Sequence, residues 1–66
     1  MKELFVSFYW QTGGKVGNGW RVFGNCPEPR TGDEVQKLVD MIRDSVRATN
    51  PDWKDLEIVP ITWRQL

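Results

Sequence analysis

The residues with the most chemical potential in this 66-residue chain are Cys26, a glycine-rich stretch holding Lys15, a few carboxylates, and an unusual load of aromatic rings. Cys26 is the single cysteine, and there is no histidine. A nucleophilic thiol needs a neighbouring base or an electropositive setting, and no imidazole can supply the base. A buried, structural thiol is the expectation. The same counts exclude an internal disulfide. They also leave a tetrahedral N/S zinc shell without ligands, so no metal site and no cofactor are expected.

Gly13-Gly14-Lys15 invites comparison with a phosphate-binding loop. It does not fit GxxxxGK[ST], because Val16 stands at the Ser/Thr position and no helix follows. Backbone amides of a glycine-rich turn can still form an anion nest. Gly14, Lys15 and Arg21 are therefore the candidate residues for a small nucleotide-like anion. Asp33, Asp40 and Asp44 fall in a helical stretch at spacings that suit surface ion pairs with Lys37 and Arg47. Acid–base catalysis would need a cleft and shifted pKa values, so a solvated face is the plain reading. No catalytic residue is assigned, and the chain is read as a non-enzyme.

The elements that must position these residues follow from patterning. Glu3 to Gln11 is rich in β-branched and aromatic types and reads as a strand. Alternation gives Leu4, Val6, Phe8 and Trp10 one face, taken as the core side, and Phe5, Ser7, Tyr9 and Gln11 the other. Thr12 to Gly19 has turn composition, with Asn18-Gly19 and Gly13-Gly14 as competing hairpin signals. A second strand is expected over Trp20 to Cys26. Trp20, Val22, Gly24 and Cys26 are placed on its core face, and Arg21, Phe23 and Asn25 on the opposite one. Pro27-Glu28-Pro29-Arg30 is a stiff connector.

Thr31 and Glu34 form a Thr-x-x-Glu capping box. Val35, Leu38, Val39, Ile42 and Val46 follow as one apolar stripe. The helix should stop near Ala48 to Asn50, before Pro51. Leu56 to Trp63 reads as a third strand, with Pro60 marking an edge position or a bulge. Trp53 and Trp63 are expected at the edges of the core, with an exposed partner-binding role as the alternative.

These pieces assemble as β-β-α-β, an α+β fold over residues 1–66 as a single domain. A hairpin sets the first two strands antiparallel, and the helix returns the chain to the starting end. A three-stranded antiparallel sheet in order 2-1-3 results, with one helix packed on one face. The other face would then carry Phe5, Tyr9, Arg21, Phe23 and Asn25. That set is too aromatic for a plain solvated surface and reads as an interface. Stacking two such faces would make a homodimer and enlarge the small core.

Nine basic and nine acidic residues give zero formal charge. Single-stranded nucleic-acid binding by stacked aromatics is thus the weaker alternative, since the electrostatic footprint is missing. No apolar run approaches the ~20 residues of a membrane span. Met1-Lys2-Glu3-Leu4 lacks the layout of a secretory signal, so a cytoplasmic location is expected.

Three segments carry a resemblance. Phe5-Val6-Ser7-Phe8, Gly19-Trp20-Arg21-Val22-Phe23-Gly24-Asn25 and Ile61-Thr62-Trp63-Arg64-Gln65-Leu66 resemble parts of small accessory proteins encoded by bacteriophages and prophages. The resemblance implies a protein at work in the host cytoplasm, binding a host protein stoichiometrically. It transfers no catalytic or binding residue.

Overall fold

A computed structural model describes residues 2–66. The element order is β1 (Glu3–Thr12), β2 (Lys15–Gly24), α1 (Gly32–Thr49) and β3 (Glu57–Gln65). The sheet has three strands in the order β2-β1-β3, with both pairings antiparallel. Fold class, strand order and the single helix agree with the expectation from patterning.

The hairpin differs from it. Thr12 to Gly19 is not a loop, because β2 already begins at Lys15. The turn is Gly13-Gly14 alone, with φ of 43° and 82°. Both central residues of a tight type I′ turn need positive φ, which glycine adopts without a Cβ penalty. What decides against Asn18-Gly19 lies on β1. With the turn at Gly13-Gly14, Phe8 pairs with Gly19 and Trp10 with Gly17. A Cβ on Gly17 would sit 2.4 Å from Cζ2 of Trp10, and one on Gly19 would sit 3.0 Å from Cζ of Phe8. The glycines are the floor on which the two rings lie.

This register reverses the facing expected for β2. Leu4 pairs with Phe23 and Val6 with Arg21, whereas Phe5 pairs with Val22 and Ser7 with Trp20. Directly opposed residues share a face. Arg21 and Phe23 therefore lie on the helix side, and Trp20 and Val22 lie on the open side. The reason is arithmetic. A two-residue turn pairs odd-numbered residues with even-numbered ones, so the core parity switches across the hairpin. Asn25 belongs to neither face, since β2 ends at Gly24 and Asn25 turns the chain with φ 54°. Cys26 is half-buried against the core beyond the strand end, not in register with Trp20 and Val22.

α1 starts as its capping box dictates. The Thr31 hydroxyl accepts from the Glu34 backbone N–H at 3.2 Å. Asn50 ends the helix, its N–H donating to the carbonyls of Val46 and Arg47. Leu38, Val39, Ile42 and Val46 are buried against Leu4, Val6 and Phe8 of β1, with Leu56 and Ile58 completing the core. α1 lies nearer β3 than β2. Trp10 stacks on Trp53 at 4.8 Å and seals one end of the core. Trp53 and Trp63 both sit half-buried at the core edge.

In β3 the ladder slips between Ser7 and Phe8, which pair with Thr62 and Pro60. Ile61 is the extra residue of this bulge and is 55% exposed. Proline donates no ladder bond, so the slip falls where the ladder is already weak. Thr62 then joins the open face and Trp63 the helix face. At the other end of the strand Gln65 ties three segments. Its amide donates to the carbonyls of Glu3 (2.8 Å) and Cys26 (3.1 Å), and it accepts from the Glu28 N–H (2.9 Å).

Candidate functional site

One face of the sheet has no helix on it, and the register fixes what it presents. Its rows across β2, β1 and β3 are Val22–Phe5–Arg64, Trp20–Ser7–Thr62, Asn18–Tyr9–Val59 and Val16–Gln11–Glu57. The apolar members are contiguous and open to solvent. Trp20 is 62% exposed, Val16 60%, Val59 55% and Val22 41%. Phe5 and Trp20 stack with ring centroids 6.1 Å apart, an offset geometry that suits the ring quadrupoles. The stacked pair is part of this patch. At its centre the hydroxyls of Ser7 and Thr62 bond each other at 2.8 Å. Beside it Phe5, Thr62, Trp63, Arg64 and Leu66 line a shallow depression of about 530 Å³.

Of the residues expected at the interface, Phe5 and Tyr9 lie on this face, and Arg21, Phe23 and Asn25 do not. Patterning missed Trp20 and Val22, the two most prominent residues of β2 here. The parity of a two-residue turn was the signal that could have found them.

The anion-binding candidates are dispersed. Gly14 and Lys15 are at the hairpin tip, and Arg21 is six residues further along β2, roughly 20 Å away at ~3.3 Å per residue. Arg21 has its own commitments on the helix side. Its Nε donates to Ser45 Oγ at 3.1 Å and its Nη1 to the Trp20 carbonyl at 2.8 Å. Its guanidinium also lies 5.9 Å from the centre of the Phe8 ring, within cation–π range. It ties β2 to α1 on the side from which the helix leans away.

The electrostatics of the open face are sparse. Arg64 is the one cation among its strand residues, against the carboxylates of Glu3 and Glu57. A surface for nucleic acid needs several cations to displace counterions from phosphates, and this one offers an acidic balance. Among the described residues the one ion pair, Arg43–Asp40 at 3.1 Å, is on the helix. No helix of the described residues is long and apolar enough to cross a membrane.

The most perturbed titratable group is away from this face. Asp55 accepts from the Thr12 hydroxyl at 2.6 Å. That bond chiefly holds its carboxyl below the ordinary aspartate range. Its own backbone N–H adds to the effect, desolvation opposes it, and the Gly13 N–H and the charge of Arg47 lower the pKa further. Thr12 is buried, at 5% exposure, so this contact closes the core at the hairpin end. It is a structural bond.

The chain matches no protein-family model, no curated protein and no solved structure.

Proposed function

We propose that this chain is a non-enzymatic interaction module that binds a protein surface through its uncovered sheet face. One observation carries the reading. Trp20, Val22, Val16 and Val59 are exposed on one sheet face beside the half-buried Phe5 and Tyr9. Apolar side chains scattered singly over a surface need no explanation, but a contiguous aromatic patch marks an interaction site. Trp and Tyr are also the residue types that dominate binding energy in interfaces. The resemblance to small phage and prophage proteins supports a host protein in the cytoplasm among the partners.

Trp20→Glu tests this. The side chain points away from the core, so the fold should be kept, and helical circular dichroism checks that. Immobilised wild-type chain and an Asp44→Lys control on the solvent side of α1 should retain the same partner, while Trp20→Glu should lose it. Equal retention by all three would sink the open-face reading.

A further inference from the structure

We infer that the uncovered face takes a second copy of this chain, stacked about a two-fold axis that crosses the strands between the Ser7 and Tyr9 rows. The inference rests on the interaction-module reading and names the partner of that same face.

A symmetric face-to-face pair with aligned strands has two arrangements. If the axis runs along the strands, β3 of one copy covers β2 of the other. Arg64 then faces Val22, and Glu57 faces Val16. Each charge would lose water against a valine with nothing to replace it. If the axis runs across the strands, each strand covers its own counterpart, reversed end to end. Arg64 of each copy now meets Glu57 of the other, and the pair occurs twice. Val22 meets Val16, and the Tyr9 phenol stands opposite Ser7, whose hydroxyl already bonds Thr62 at 2.8 Å. The charges of the face are thus complementary in one orientation and not in the other, with Trp20 lying over Asn18 and Phe5 over Gln11 in the favoured one.

Two further observations agree. Arg64 and Glu57 have no ion-pair partner among the described residues of their own chain. Glu3, the remaining charge on the face, falls opposite Gly13 in the partner's hairpin turn, at the rim of the contact. Pairing through the β3 edge is the poorer alternative, because Pro60 and the Ile61 bulge interrupt that edge.

Sedimentation velocity of the full chain over a concentration series tests the arrangement, with circular dichroism confirming that each variant is folded. Wild type should be a dimer. Arg64→Glu and Glu57→Arg should each raise the dissociation constant about tenfold or more, since two attractive pairs become repulsive. The double exchange R64E/E57R should restore it to within about threefold. Should a reversal disturb folding, Arg64→Gln, which removes the charge alone, should still weaken the dimer. Three results would overturn the inference, and they are distinguishable. A monomeric wild type at the highest concentration removes the second copy but leaves a different protein partner for the face. A dimer lost in Trp20→Glu but indifferent to the charge exchange keeps the face and rejects the arrangement. A dimer indifferent to both places self-association elsewhere, such as the β2 edge, and rejects the second copy as the occupant of the open face.

Discussion

Gly17 and Gly19 illustrate how single residues set this fold. Their missing side chains are occupied space, because the rings of Trp10 and Phe8 fill it. Trp10 is held by its stack on Trp53 and cannot simply swing aside. Gly17→Ala should therefore cost about 1–3 kcal/mol, as overpacking of a filled site does. Gly24→Ala, with nothing within 4 Å of the new methyl, should stay within about 0.5 kcal/mol of wild type. Urea unfolding of both variants makes the comparison. Asp55 offers a second test. Its folded pKa is depressed, first by the Thr12 hydroxyl. The unfolded chain therefore takes up this proton at a higher pH than the folded chain. The stabilisation is complete above the ordinary aspartate pKa and is lost as pH falls through the lower folded value, in the region below roughly pH 4. Asp55→Asn should remove part of the acid slope of the urea midpoint. An unchanged slope would show that the Thr12 bond is not felt in solution.

At the scale of elements, α1 is the most locally specified. Its cap, its apolar stripe and its end at Asn50 are all written in adjacent residues. Thr31→Ala should cost about 1 kcal/mol, the usual worth of a Thr N-cap, measured as a shift of the urea midpoint at unchanged slope. The strands are specified less locally. Two of the first five residues of β2 are glycine, and its propensity for strand there is low. It becomes a strand because β1 offers a ladder and two large rings that need a flat partner. Likewise the Ile61 bulge depends on where β1 stops tolerating Pro60 in register, which β3 alone does not reveal. Gln65 has the same character. A C-terminal glutamine has no propensity signal, but across the sheet it bonds Glu3, Cys26 and Glu28.

The whole molecule has one thin core. Nine buried apolar residues are packed between one helix and one side of the sheet. A chain of this length has a total stability of roughly 3–10 kcal/mol. Ile42 is fully buried at the centre of α1. Truncation to Ala should cost about 2–5 kcal/mol, a large share of that total, and lower the melting temperature accordingly. Circular dichroism against protein concentration would read both this loss and any recovery through association. Retention of a cooperative melt within a few degrees of wild type would mean that the core is not where the stability resides. Covering the open face would add apolar burial to a fold that is short of it, so occupation of the proposed interface should stabilise the chain.

The sequence by itself determined the elements whose causes are local. It carried the capped helix with its apolar stripe, β1 with Leu4, Val6 and Phe8 inward, the disturbance at Pro60, and from their order the β2-β1-β3 sheet. It also determined that one sheet face must go without a helix, because there is only one helix to cover two faces. Phe5 and Tyr9 were legible on that face for the same reason. The tertiary structure decided what accompanies them. Alternation says which residues of β2 share a side but not which side that is. The choice passes through the turn, and a two-residue turn at Gly13-Gly14 exchanges the parity. It sends Arg21 and Phe23 to the helix and Trp20 and Val22 to solvent. Pairing is a relation between two strands, and only their meeting fixes it.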